Sequence, residues 1–203
     1  MSNIGIDFDD VLVATGLRVL NDYNDLYGTS LTLDDWYDLT PEALIRYGAT
    51  EVNEVVKRVM EMQGKDDFSV TPIEGAVEAL KVLQQRGHKL MVITGRPESL
   101  RTQTLRNVEQ YFGDIFTPEN LYFVDHFNHD DVVGKRVTKA NVASDLALDY
   151  FIDDVISHAN IVAGIGVRTA LLDRGYKWNQ GIVDSGVTRL TSWREILEFI
   201  DGR

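Results

Sequence analysis

The sequence predicts an α/β protein: a Rossmann-like parallel sheet with helices on both faces, carrying a small all-helical insertion after its first strand. Three observations predict it. From Thr71 onward, short apolar runs alternate with helix-length amphipathic segments, which is the pattern of a parallel sheet covered on both faces. One further apolar run, Asn3–Phe8, stands alone at the start and stops in acidic residues. Between them, residues 14–70 carry helical periodicity and no strand. The expected division is a core of residues 1–13 and 71–203, with residues 14–70 as the helical insertion.

Each element has its own warrant. Asn3–Phe8 reads as a short buried strand. Leu17, Leu20, Tyr23 and Tyr27 fall near one helical face. Thr40–Pro41–Glu42 reads as an N-cap followed by proline at the first helical position. Val52, Val55, Val56, Val59 and Met60 follow the i, i+3, i+4, i+7, i+8 template and predict a further helix. In the core, Ile73, Val77, Leu80 and Leu83 mark a helix closed by Gly87, and Lys89–Thr94 is a strand. Residues 98–112 form a helix, Leu121–Val124 a strand, residues 138–148 a helix and Tyr150–Asp153 a strand. A short helix and the strand Val167–Leu172 follow. Trp193, Ile196, Leu197 and Ile200 make a closing amphipathic helix, with Ser192 and Glu195 at capping-box spacing.

Composition narrows the function. A chain of 203 residues, 44% apolar and 26% charged, has room for one cored domain with an insertion. With no cysteine, disulfides, thiolate zinc sites, iron–sulfur clusters and cysteine nucleophiles are excluded. No apolar run approaches membrane-spanning length, and Ile4–Gly5–Ile6 breaks straight into Asp7. Neither a membrane span nor a secretory leader is therefore expected, and a cytoplasmic location is. Thirty-two acidic against 20 basic residues give a net charge of −12, which repels nucleic-acid polymers and anionic membranes. Composition leaves the oligomeric state open.

The chemistry is expected where doubly wound sheets bind ligands, outside the carboxyl ends of the strands. Three strands end there in polar residues: Asp7–Phe8–Asp9–Asp10, Thr94–Gly95–Arg96 and Asp153–Asp154. Taken singly, each has an ordinary alternative. Asp-x-Asp after a strand is commonly a turn or an N-cap, Asp154 could cap the next helix, and Thr-Gly-Arg could be a plain strand-to-helix turn. Their order and their equivalent placement, with a lysine just before the last pair, favour a site. Five carboxylates converging at one edge cannot all ionise cheaply without a cation, and an all-oxygen donor set suits Mg²⁺.

These residues resemble the motifs of the haloacid dehalogenase superfamily, which is mostly phosphatases. Asp7–Phe8–Asp9–Asp10–Val11 matches the first motif, and Met91–Val92–Ile93–Thr94–Gly95 matches the second. Lys139 matches the third, and Phe151–Ile152–Asp153–Asp154 the fourth. The insertion of residues 14–70 lies where the family carries its C1 cap. Within the superfamily the chain is most similar to the 5′(3′)-deoxyribonucleotidase-like nucleotidases.

The resemblance implies a Mg²⁺-dependent phosphomonoesterase acting on a small phosphorylated metabolite such as a nucleotide. Asp7 would be the nucleophile and Asp9 the general acid and base. Thr94, Gly95 and Lys139 would bind phosphate, with Thr94 and Lys139 also serving catalysis, and Arg96 is expected to join them from its place beside the second motif. Asp7, the Asp9 carbonyl, Asp153 and Asp154 would serve the metal, Asp154 through water or by positioning Lys139. Asp9 favours phosphate chemistry over dehalogenation, since halide leaves without a proton. Sugar phosphatase or phosphomutase activity uses the same core, and an idle binding module is the alternative of another class. The family's nucleotidases commonly carry Ser-Pro after the second-motif threonine, where this chain has Gly95–Arg96–Pro97, so the substrate is the open point.

Other signals weigh less. Trp36, Tyr37 and Tyr47 could stack on a base, or only fill the insertion's own core. The loop Tyr176–Asn179 lies near the active edge, equally able to line the site or merely to pack. His126 and His129 are expected to be surface residues rather than metal ligands, and Lys135 a solvated cation. No Walker sequence or G-x-G-x-x-G run is present, which counts against a nucleotide-driven kinase or a dinucleotide oxidoreductase.

Overall fold

A computed structural model describes residues 1–124 and 137–202. Strand β1 (Asn3–Ile6) is followed by α1 (Thr15–Tyr27), α2 (Pro41–Arg46), α3 (Val52–Gln63) and α4 (Ala76–Gln85). The alternating core continues with β2 (Lys89–Thr94), a 3₁₀ turn at Glu98–Leu100, α5 (Arg101–Phe112) and β3 (Leu121–Phe123). It closes with α6 (Lys139–Asp145), β4 (Tyr150–Asp153), α7 (Ile156–Ala163), β5 (Arg168–Leu172), β6 (Val187–Leu190) and α8 (Trp193–Ile200). The six strands form one sheet in the order β3-β2-β1-β4-β5-β6, and every pairing is parallel. The expected α/β class therefore holds.

The strand order reverses at β1, so the switch point of the sheet lies between β1 and β4. Ile6 pairs with both Val92 and Ile152, which sets the ends of β1, β2 and β4 level. Ile4, Ile6, Val92, Ile93, Phe151 and Ile152 are fully buried, so these three strands cannot slip without exposing their apolar faces. The helix α8 is tied to the loop after β1 by the Trp193 indole N–H, which donates to the Val11 carbonyl at 3.0 Å. No helix among the described residues is long and apolar enough to cross a membrane.

Several local expectations hold in detail. Thr40 caps α2 by accepting from the Ala43 amide. Ser192 likewise accepts from Glu195 N, while the Glu195 carboxylate takes the Thr191 amide. Two expectations are corrected. Leu17 is 45% exposed, and Val19 takes its place beside Leu20 and Tyr23. At ~100° per residue the buried Thr15, Gly16, Val19, Leu20 and Tyr23 share one arc of the helix, and Leu17 falls outside it. The sixth strand, β6, lay outside the expected plan because it is a half-exposed edge strand in which only Val187 is buried.

Candidate active site

The switch point gathers the acids. The Asp7 amide donates to the Ile152 carbonyl at 2.9 Å, extending the β1–β4 ladder by one residue and setting Asp7 beside Asp153. Asp7, Asp153 and Asp154 are all buried, and one carboxylate oxygen from each lies within 4.8 Å of the others. Lys139 joins them from the first turn of α6. That turn is fixed by a reciprocal cap in which the Thr138 hydroxyl accepts from Asn141 N and the Asn141 side chain accepts from Thr138 N. The Lys139 Nζ stands 2.8 Å from Asp7 Oδ1 and 2.8 Å from Asp153 Oδ2.

One cation among three buried carboxylates leaves a surplus of negative charge. Burial disfavours the Lys139 ammonium, but Asp153 and Asp7 outweigh it and hold the lysine charged well above its usual range. Burial likewise pushes Asp153 up, yet Lys139 and then His158 reverse it and leave that carboxyl below its ordinary range. Asp7 is pushed up to about 7, chiefly by burial and further by Asp153 and Asp9, with Lys139 pulling against them. Asp154 lies well above its ordinary value through burial and the charges of Asp153, Asp10 and Asp7. Buried like charges of this kind are stable when a cation or a proton joins them.

Asp9 and Asp10 have other partners. The Asp9 carboxylate is gripped by Arg96, whose Nε donates to Asp9 Oδ2 at 2.9 Å and whose Nη2 donates to Oδ1 at 2.7 Å. Thr15 also donates its hydroxyl to Asp9. Arg96 is itself 3% exposed, lies over the Phe8 ring and donates through Nη1 to Thr104 at 3.0 Å. Asp10 adopts a left-handed backbone (φ 56°) and accepts the Gly16 amide at 2.9 Å, taking an orphan N–H of the first turn of α1. Gly16 permits this approach, since a Cβ there would stand 2.7 Å from Asp10 Oδ2. Burial, with repulsion from Asp9, pushes Asp10 up to about 7.

The remaining expected residues take varied places. Thr94 is fully buried, and its hydroxyl accepts the Arg96 amide at 3.2 Å. Gly95 and Arg96 face the cavity beyond it. Asp154 neither caps α7 nor touches Lys139: it accepts the Trp178 indole N–H at 2.5 Å, and its backbone carbonyl accepts from the Asn179 side chain at 2.6 Å. The loop Tyr176–Asn179 is thus part of the site's frame. His126, His129 and Lys135 lie outside the described residues.

One cavity runs from these acids to the helical insertion. Asp7, Asp9, Asp10, Lys139 and Arg96 line one end, and Trp36, Tyr37, Leu39 and the α3 residues Val55, Val56, Val59, Met60 and Gln63 line the other. Two contacts join the insertion to the loop after β5. The Tyr37 and Trp178 rings lie 5.1 Å apart, and Lys177 Nζ stands 3.8 Å from Asp38. Tyr37 holds a left-handed backbone (φ 68°), which costs energy for an aromatic residue, and although the residue is 48% exposed its hydroxyl lies within range of the acids' charge. Burial and then the charges of Asp154, Asp10, Asp9 and Asp7 keep that hydroxyl protonated well past its ordinary range.

Sequence reasoning missed Thr15, Gly16, Gln63 and His158. His158 lines the cavity and places Nδ1 3.5 Å from Asp153 Oδ1. A helix read directly after Asp153–Asp154 places His158 one turn in, which is the signal that was available. Gln63 was also legible as the next slot, i+11, of the α3 template.

Fold and site together define a doubly wound α/β protein whose active edge is built from carboxylates and one lysine. The chain belongs to the haloacid dehalogenase-like hydrolase family, whose model matches residues 6–148. It is 26% identical over 204 residues to a Bacillus cereus protein named "Putative nucleotidase", covering 97% of this chain and 96% of that one. It is 21% identical over 201 residues to "Putative nucleotidase OB0422" of Oceanobacillus iheyensis, covering 98% of each. A solved HAD family hydrolase from Deinococcus radiodurans, with bound phosphate and sodium, shares the fold at a TM-score of 0.66. Its identity is 18%, over 100% of this chain and 96% of that one.

Proposed function

We propose that the protein is a Mg²⁺-dependent phosphomonoesterase that hydrolyses a nucleoside monophosphate through an aspartyl-phosphate, with residues 14–70 acting as its cap. The observation that carries this reading is the buried set Asp7, Asp153, Asp154 and Lys139 opening into a cavity that the insertion roofs. A buried carboxylate held beside an ammonium is a suitable nucleophile toward phosphorus. The two named relatives favour a nucleotide, as does the largely apolar far end of the cavity, which suits a base better than a second sugar hydroxyl face.

An Asp7 oxygen attacks phosphorus as the bond from phosphorus to the ester oxygen breaks, and the leaving oxygen takes a proton from Asp9. Water then attacks phosphorus, gives its proton to Asp9, and breaks the bond to Asp7. Asp9 performs this work after turning from Arg96 toward the leaving oxygen. Lys139 offsets the charge that develops on the phosphoryl group, and Thr94 and the Gly95 amide serve its oxygens. The surplus of buried carboxylate over ammonium fits a hard divalent cation. Asp7, Asp153 and Asp154, with the Asp9 carbonyl, would hold Mg²⁺, which neutralises charge on the phosphate oxygens when bound.

Phosphate release from p-nitrophenyl phosphate tests the reading. The expected result is turnover that needs Mg²⁺ and falls at least about a thousandfold in Asp7→Asn. Turnover indifferent to Mg²⁺, or unchanged in Asp7→Asn, would overturn it.

A further inference from the structure

The apolar face of α3 carries one residue that does not belong to an apolar face. Val52, Val55, Val56, Val59 and Met60 run at i, i+3, i+4, i+7 and i+8, and the next slot is Gln63. It is only 7% exposed and lines the same cavity as Val56, Val59 and Met60. Its side-chain amide makes no hydrogen bond to any described residue, and neither of its polar atoms is sealed within the packed core. Buried polar groups are almost always hydrogen-bonded, so an amide left open toward a cavity is a group awaiting a partner.

A carboxamide presents a donor and an acceptor side by side. Its natural complement is a planar group with an adjacent acceptor and donor on one edge, which every nucleobase offers. The walls suit a flat ring: Trp36 and Leu39 come from the insertion's loop, and Val59 and Met60 from α3. We propose that Gln63 is a specificity-determining residue that hydrogen-bonds the edge of the substrate's base, seated between the α3 face and Trp36. The proposal rests on the nucleotidase reading and names the subsite that distinguishes a nucleotide from any other phosphate ester. A sugar phosphate too short to reach α3 leaves the amide unpartnered and gains nothing from it.

The test compares nucleoside monophosphates with ribose 5-phosphate, which has the phosphate and sugar but no base. In the native chain, kcat/KM is expected to favour at least one nucleoside monophosphate over ribose 5-phosphate. In Gln63→Leu that ratio falls at least about tenfold, because the base edge then meets an apolar group. Gln63→Met, closer in shape, gives the same loss if the leucine variant folds poorly, and a circular-dichroism melt checks both. Calorimetric titration of the same ligands in EDTA gives the same comparison without turnover. If no ester is hydrolysed but a nucleoside monophosphate binds more weakly to the variants, the phosphatase reading fails and the base subsite stands. If the ratio and the binding are both unchanged by the variants, the amide is only hydrated and the proposal is overturned.

Discussion

The two ends of the cavity are built by opposite rules. At the sheet edge, backbone pairing sets Asp7 beside Asp153, and a capped helix delivers Lys139 between them. The acids there are held by neighbouring side chains, Asp9 by Arg96 and Asp154 by Trp178. At the insertion, Val56, Val59 and Met60 line the cavity with an apolar face, and the Gln63 amide beside them has no hydrogen-bond partner among the described residues. The difference separates chemistry from recognition. Phosphoryl transfer needs charges fixed to a fraction of an ångström, whereas choosing a substrate needs a surface that stays unfilled until the substrate arrives.

If that contrast is right, equal disturbances have unequal effects. The largest is expected at the lysine. Lys139→Met leaves Asp7 and Asp153 buried without their cation and should cost about 3–5 kcal/mol at neutral pH in urea melts, with activity lost. The loss should shrink as the pH falls toward 5, because Asp153, which Lys139 holds below the ordinary carboxylate range, takes up a proton more readily once the ammonium is gone. A variant as stable as the parent at pH 7 would mean that the acids are already neutral.

A comparable truncation in the sheet comes next. Ile152 is fully buried on β4, so Ile152→Ala is expected to cost about 2–5 kcal/mol.

The third effect is set by protons and cations. Asp7 and Asp10 titrate near 7 in the folded chain against 3.8 as the ordinary value, so between these pH values the folded state binds protons that the unfolded state has released. Without a divalent cation, the stability they contribute is full below pH 3.8 and is lost as the pH rises through 7. Asp153 runs the other way, and its contribution is lost only as the pH falls below the ordinary carboxylate range. Thermal melts from pH 5 to 8 in EDTA should therefore fall with pH. Mg²⁺ should reverse the fall, by about 2.7 kcal/mol at a hundred times its Kd. Melts that rise with pH in EDTA would contradict the charge surplus.

The smallest effect belongs to the cavity wall. Met60 faces space rather than packed neighbours, so Met60→Ala should cost less than about 1.5 kcal/mol while altering which esters are hydrolysed. A loss as large as that of Ile152→Ala would show the wall to be ordinary core.

The same contrast explains what could be read from the chain alone. Buried parallel strands are continuous apolar runs, and acids at their ends mark the active edge, so five strands and Asp7, Lys139 and Asp153 were legible. The edge strand β6 lacks such a run. Lys139 was placed by its helix, but its partners were not: it bridges Asp7 and Asp153 and leaves Asp154 to an indole from a distant loop. Arg96 looked like a phosphate ligand because it follows Thr94, yet it folds back onto Asp9, a pairing that only tertiary structure brings about. The α3 periodicity predicted a helix and no more, because a pattern of apolar residues does not say what lies opposite it.

The central claim is that Asp7 takes up the phosphoryl group. It is tested most directly by acid-quenching the enzyme during turnover of a nucleoside monophosphate with Mg²⁺ and sequencing its peptides by mass spectrometry. The expected result is a phosphate adduct on Asp7 that builds within the first turnover and is absent from Asp7→Asn. Turnover with no adduct at Asp7, and at the same rate in Asp7→Asn, would contradict it.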